Sequence, residues 1–345
     1  MAASRRVTHM DVARRAGVSP AVVSYVVNNG PRGTSPEARD RVLRAIDELG
    51  YHPNVFACGL AQLRTRTIGF IMLDYAPLDL FVAPYNAAIL TGLTAELKAH
   101  DHYVLIYPLA IDEDLAGLNA LLRSGRVDGV VLRLIQDAPA TDALLEVIAA
   151  AGMPCVSIER PAAPRFGFPS VAYDDRGGAY TATCYLIEQG HLRIAHLQGD
   201  LRYPAAQNRL AGYRHALLEA GLQPDESLSH GTSWSSSDIP AALDRLLGLA
   251  EPPTAILAAN DIRALSAIAV LRQRGYRVPE DVAVIGFDDI PLAQDTTPPL
   301  TTVRIPLTDL GRKAADHILH LVEANETKGI RTEVLPVELV CRGTA

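Results

Sequence analysis

Several absences narrow the chain's possible functions. Its four cysteines, Cys58, Cys155, Cys184 and Cys341, are widely scattered with no CxxC spacing. Neither a zinc site nor a disulfide framework is indicated, and the thiols are read as reduced. No apolar run approaches membrane-spanning length, and MAASRRVTHMDVARR at the start has basic residues without the apolar core of a secretory signal. The cytoplasm is the expected compartment, with no membrane partner. Signatures of catalysis are missing as well: there is no GxSxG elbow, no Walker loop, no GxGxxG after a strand and no HExxH. A non-enzyme is expected, with no catalytic residue, no metal and no cofactor.

What is present is a globular chain of more than one domain. Its 345 residues are 48% hydrophobic and 21% charged, within the range of folded proteins and too long for one ordinary core. Charge is unevenly distributed. Residues 1–66 hold ten arginines against five carboxylates, a surplus of five, so with a total of -7 the remainder carries -12. A basic head on an acidic body favours a polyanionic partner for the head.

The head reads as three helices. Thr8 precedes the apolar positions Met10, Val12 and Ala13, and Gly17 supplies the positive φ that ends a helix. Ser19-Pro20 opens a second helix through Asn28, with Val23, Val26 and Val27 toward a core. Ser35-Pro36 opens a third, with Val42, Leu43, Ile46 and Leu49 as its buried stripe, closed by Gly50. Two short helices joined by a tight turn of about three residues fit the helix-turn-helix motif, whose second helix enters the DNA major groove.

After residue 66 the pattern becomes apolar strands alternating with helices. TIGFIML, YVLIYPL, DGVVLRL and PCVSIER form one series, and RIAHLQG, TAILAAN and DVAVIGFDD a second. Two α/β lobes with parallel sheets are implied.

VTHMDVARRAGVSPAVVSYVVNN followed by ELGYHPNVFACGLAQLRTRTIGFI resembles the LacI/GalR family of bacterial transcription regulators, and the likeness extends to the end of the chain. The two-lobed body is similar in architecture to periplasmic sugar-binding proteins. The resemblance implies a helix-turn-helix domain over residues 1–52, a hinge helix and linker over 53–66, and an effector-binding domain over 67–345. Within that domain lobe one would be about 67–170 and 297–328, lobe two about 171–296 and 329–345, with crossings near 170, 296 and 328. It implies that Thr8, Ser19 and Asn28 meet phosphates, that Pro20, Ala21, Ser24 and Tyr25 face base edges, and that Arg32 and Asn54 join the DNA-contacting set. Leu60 stands at the position that wedges into a central base step of the minor groove. Tyr25 departs from the arginine common at its position, and offers a hydroxyl and an aromatic face in place of a guanine-binding fork.

For the cleft between lobes the resemblance implies effector contacts from Tyr85, Asn86, Glu159, Arg209, Trp234, Asn260 and Asp288, with Asp289 a structural acid. Arg209 would grip neighbouring hydroxyls or a carboxylate, and Trp234, the only tryptophan, would cover the apolar face of a pyranose. Asn86 replaces the aromatic of purine-responsive members, and Glu159 the commoner aspartate. The expected protein is a DNA-binding regulator, a repressor controlled by a sugar or related metabolite, acting as a homodimer on a pseudo-palindromic operator and nucleoid-associated when bound. No C-terminal heptad helix follows VELVCRGTA, so a dimer is expected in place of a tetramer. A purine- or other metabolite-responsive co-repressed regulator is the alternative of the same architecture. A soluble sugar-binding protein without a gene-regulatory role is the alternative of another class.

Overall fold

The computed structural model describes residues 7–27, 34–51, 64–74, 84–134, 139–231, 234, 236–327, 329 and 332–345. The chain divides into two compact units, residues 1–65 and 66–345.

In the first unit α1 (His9–Ala16) starts at a reciprocal cap: the Thr8 hydroxyl accepts from the Asp11 N–H while the Asp11 carboxylate accepts from the Thr8 N–H at 2.9 Å. Gly17 ends it at φ +64°, a conformation that penalises any side chain. After Val18 and Ser19 comes α2 (Pro20–Val27), and Ser35 caps α3 (Pro36–Leu49) by accepting from the Ala38 N–H at 3.3 Å. Val12, Ala13, Ala16, Val23, Val26, Val42, Ala45 and Tyr51 close a small core. One residue of the expected buried stripe is on the surface, Leu43 at 47% exposed, and the apolar Met10 is 61% exposed. Ala45 is buried in place of Leu43, because positions 42, 45, 46 and 49 follow the helical repeat and 43 lies one step around the barrel.

The second unit holds two six-stranded sheets. The first has the order β11-β5-β4-β3-β1-β2 and is parallel throughout: β1 (Thr67–Asp74), β2 (Tyr103–Ala110), β3 (Gly129–Arg133), β4 (Cys155–Glu159), β5 (Ser170–Tyr173) and β11 (Thr332–Leu335). The second has the order β12-β10-β9-β8-β6-β7, from β6 (Ile194–Leu197), β7 (Ser229–His230), β8 (Ala255–Ala258), β9 (Ala283–Asp288), β10 (Thr301–Arg304) and β12 (Glu338–Val340), with only β12 antiparallel. Crossover helices cover them. Around the first sheet are α4 (Pro84–Ala99), α5 (Ala116–Arg123), α6 (Pro139–Ala150) and α12 (Leu307–Ala324). Around the second are α7 (Asp175–Glu188), α8 (Pro204–Glu219), α9 (Ile239–Leu247) and α10 (Asp261–Gln273), with the short α11 (Leu292–Asp295) after β9. Strands β3, β8 and β9 are buried along their whole length, as parallel strands covered on both faces must be. Helices α4 and α12 meet backbone to backbone, since a Cβ on Gly92 would stand 1.9 Å from the Thr308 carbonyl oxygen.

The lobe limits expected near 170, 296 and 328 are shifted. Strand β5 stays with the first sheet, β10 belongs to the second sheet and β11 to the first. The chain therefore crosses between Tyr173 and Asp175, between Arg304 and Leu307, and between Leu335 and Glu338. Each strand pairs with the sheet it arrives from, β5 on β4, β10 on β9 and β11 on β5, so the chain leaves for the other lobe only at the strand's carboxyl end.

Candidate functional site

The first candidate surface is α2. Val23 and Val26 point into the head's core, leaving Pro20, Ala21, Ser24 and Tyr25, spaced by one, three and four residues, on the opposite face. Ser19, Pro20 and Ala21 are exposed, and Ser24 and Tyr25 half-buried. Tyr25 and Ala21 thus stand one turn apart on a helix face with no acidic residue, which suits the edge of a nucleic-acid base. Thr8 is exposed, and its hydroxyl already lies 2.6 Å from Asp11 Oδ2, so it holds the helix start. Of the other DNA-contacting residues expected from the sequence, Asn28, Arg32, Asn54 and Leu60 lie outside the described residues.

The second candidate site is built where the carboxyl ends of strands in both sheets converge, the usual binding crevice of open α/β sheets. Arg209 of α8 is its centre, 2% exposed. Its Nε donates to Asp175 Oδ1 at 2.7 Å, its Nη1 lies 3.4 Å from Asp288 Oδ1 and also donates to the Ala259 carbonyl. The guanidinium carbon is 3.8 Å from the centre of the Phe287 ring and 5.4 Å from that of Trp234, so the cation is sandwiched by aromatic faces as well as paired. Trp234 is half-buried, with Tyr203 edge-on at 6.0 Å. Asn260, just after β8, accepts from the Arg263 N–H at 2.9 Å and donates to the Trp234 carbonyl at 3.2 Å; it caps α10 and ties down the tryptophan segment.

Lobe one supplies the facing wall. Tyr85 and Asn86 begin α4, and Asn86 is buried. The Tyr85 hydroxyl is 2.6 Å from that of Tyr173, at the end of β5. Glu159, ending β4, accepts from Arg133 Nε at 2.6 Å, and the Arg133 guanidinium lies 5.4 Å from the Tyr85 ring centre. Glu159 and Asp288 sit at strand ends with φ of +70° and +112°, and Asp289 follows at +58°. These left-handed values are costly for residues other than glycine and cluster at sites where side chains must be aimed. Asp289 itself is held by Arg304 and Arg342, each at 2.7 Å, away from the cleft's centre.

The charges of the two walls act on one another's titration. Burial pushes the Asp175 carboxyl up to about 6 against the opposing pull of Arg209. The Asp288 carboxyl is raised well above its ordinary range by burial, again opposed by Arg209 and reinforced by neighbouring carboxylates. Burial first, then the charge of Glu159, raises the Tyr85 hydroxyl, and burial followed by Asp175 and Glu159 raises that of Tyr173. Both phenols therefore stay protonated and can donate. The pocket offers neutral hydroxyls, two arginines already bonded to carboxylates, and an indole face, a set that matches a polyhydroxylated ligand. Among the described residues no His/Cys/Asp/Glu group is arranged to hold a metal ion, and no helix is long and apolar enough to cross a membrane.

Of the seven expected cleft residues, Tyr85, Glu159, Arg209, Trp234, Asn260 and Asp288 share this network, and Asn86 is buried beside Tyr85. Sequence reading missed Arg133, Tyr173, Asp175 and Phe287. Arg133 had a signal, a single charge ending the apolar DGVVLRL run; Tyr173 and Asp175 had almost none, because SVAY is only four residues long.

Residues 8–54 match the bacterial regulatory proteins of the lacI family, and residues 183–345 match a periplasmic binding protein-like domain. The HTH-type transcriptional regulator CelR of Thermobifida fusca is 37% identical over 340 residues, 98% of each chain. A solved complex of the transcriptional regulator CelR with cellobiose superposes with a TM-score of 0.73 at 35% identity, over 99% of this chain and 100% of that one. The lac repressor dimer bound to operator and the anti-inducer ONPF superposes with a TM-score of 0.83 at 28% identity, over 99% of both. These relatives are transcriptional regulators, not enzymes. With its helix-turn-helix head, its two-lobed body and relatives matched along nearly the whole length, the chain belongs to the LacI family of bacterial transcriptional regulators.

Proposed function

We propose that this regulator is a repressor that binds a pseudo-palindromic operator as a homodimer and releases it when a neutral sugar occupies the cleft between its lobes. The observation that carries this reading is Arg209, buried between Asp175, Asp288, Phe287 and Trp234 and near enough for its charge to act on the Tyr173 hydroxyl, which in turn meets that of Tyr85. Such a guanidinium, fixed by its carboxylates, can still donate to a ligand hydroxyl while the indole covers the apolar face of a ring. Asn86 favours a sugar over a purine, because an amide gives a base no stacking surface. The head is what distinguishes this chain from a sugar-binding protein without a regulatory role. Release follows if the ligand binds one lobe arrangement more tightly than the other, by as much as operator affinity falls. The protein would work in the cytoplasm, on the nucleoid when bound.

Trp234 gives the test, since no other tryptophan contributes emission. A panel of sugars, sugar acids and nucleobases, with cellobiose first, is titrated while emission and operator retention in a gel shift are followed together. A sugar should change the emission and release the operator with a common midpoint. A releasing compound that leaves Trp234 emission unaltered would show that the effector binds elsewhere.

A further inference from the structure

Arg263 is an arginine with no solvent exposure on the first turn of α10, outside the cluster around Arg209. Its Nη1 donates to Asp238 Oδ1 at 2.7 Å and its Nη2 to Asp238 Oδ2 at 3.2 Å, a two-point pairing with the residue that precedes α9. Gly231, seven residues earlier, lies against the same guanidinium. A Cβ there would stand 2.6 Å from Arg263 Nη2 and 2.1 Å from the Gln198 carbonyl oxygen. Arg263 therefore underlies residues on both sides of Trp234. A third tie runs through Asn260, which accepts from the Arg263 backbone N–H and donates to the Trp234 carbonyl. On its other side the indole has little room: a Cβ on Gly199 would come 3.0 Å from one of its ring carbons.

We propose that the Arg263–Asp238 pair is a positioning device that sets the place of Trp234 in the cleft wall and, through it, the affinity and selectivity for the effector. The selectivity half of this rests on reading the cleft as the effector site; the placement half does not. A fold needing only to fill this volume would do as well with apolar side chains, because the desolvation of a buried ion pair offsets most of its attraction. What the ion pair adds is direction: a planar fork bound at two points fixes where Asp238 stands, four residues after Trp234, while Gly231, three residues before it, packs against the same guanidinium.

The test compares Arg263→Met, Asp238→Ala and the double variant with the native protein. Each single change breaks the two-point pairing and keeps one of its charges, so both should lower the melting temperature. Removing both charges should restore most of it. Acrylamide quenching of Trp234 in the ligand-free protein and titration with cellobiose and the other sugars of the panel then separate placement from folding. The double variant should show at least twofold higher quenching and at least tenfold weaker sugar binding despite its recovered melting temperature. Native quenching in the double variant would overturn the proposal, and so would recovered quenching and sugar affinity together. If quenching rises but no sugar binds even the native protein, the placement of Trp234 stands and the sugar reading falls.

Discussion

Replacing Arg209 by alanine should do two separable things. The variant should lose its response to effector, since no other side chain presents a fork at that point. It should also become less stable in a pH-dependent way. Arg209 is 2% exposed and partners two carboxylates that are themselves almost fully buried. Truncating one member of a buried ion pair costs about 3–5 kcal/mol, and loss of the stacked Phe287 contact adds on the order of 1 kcal/mol. A cost near 4 kcal/mol lowers the melting temperature of a domain this size by roughly 8–16 °C. Arg209 holds the Asp175 carboxyl down while burial raises it to about 6, so without the arginine that value climbs further. A carboxyl raised in the folded state stabilises the fold when protonated, and this contribution is lost as pH rises through the folded value. The penalty of Arg209→Ala should therefore be largest near pH 7.5 and shrink toward pH 5.5, by on the order of 1 kcal/mol for each unit of additional rise. Urea unfolding of native protein and variant at both pH values measures this. A penalty under 1 kcal/mol at pH 7.5, or one that does not diminish at pH 5.5, would refute the reading of Arg209 as the counter-charge of two buried acids. Operator affinity of the ligand-free variant, followed by gel shift, should stay within a few-fold of native.

Tyr25→Ala should change the preferred base at one position of each half-site by on the order of 1 kcal/mol, which selection from randomised operators reads; unchanged preference at every position would remove Tyr25 from the recognition surface. Gly92→Ala should destabilise the effector domain by on the order of 3 kcal/mol, because its methyl meets the Thr308 carbonyl and no side chain can move aside; a melting temperature within 2 °C of native would contradict the observed helix contact. His196 is fully buried, with its ring stacked on Tyr213, and burial lowers it to about 4. A group depressed on folding contributes stability that is present above its ordinary value near 6.5 and is lost as pH falls toward 4. His196→Phe should accordingly flatten the fall in stability between pH 6.5 and 4 relative to native, by up to about 1.4 kcal/mol per pH unit; parallel curves for the two proteins would mean His196 is not held neutral.

Legibility followed the range of the interaction that decides each feature. The head's boundaries were readable because its caps are local: Thr8 with Asp11, Gly17, and Ser35 with Pro36 each act within four residues. Leu43 misled because hydrophobicity was weighed without the angle around the helix, and the small Ala45 occupies the inward position. In the cleft, Arg209, Trp234, Asn260 and Asp288 were legible through the family resemblance, each standing in a short segment, NRLAGY, GTSWSSSD, AAND and GFDD, that matches a family position. Tyr173 and Asp175 were not, because β5 is four residues long and pairs with strands 13 residues before and 162 after it in sequence. The same non-local pairing hid the lobe limits: a short strand such as TTVR shows its sheet only through its neighbours.

The corrected crossings change how the cleft is expected to work. Because each crossing leaves a strand at its carboxyl end, the first of them, between Tyr173 and Asp175, lies within the pocket instead of behind it. Tyr173 is tied to Tyr85 in one lobe and Asp175 to Arg209 in the other. A ligand that took a hydrogen bond from Tyr173 and competed for the Arg209 guanidinium would thus act on both sides of a connection of one residue, Asp174. Each of the two contacts lies within one lobe, so a ligand that bridged Tyr173 and Arg209 would touch both lobes directly. A ligand shifts an equilibrium between lobe arrangements only by its differential affinity for them, and such a bridge would supply it without a path of intermediaries through either core.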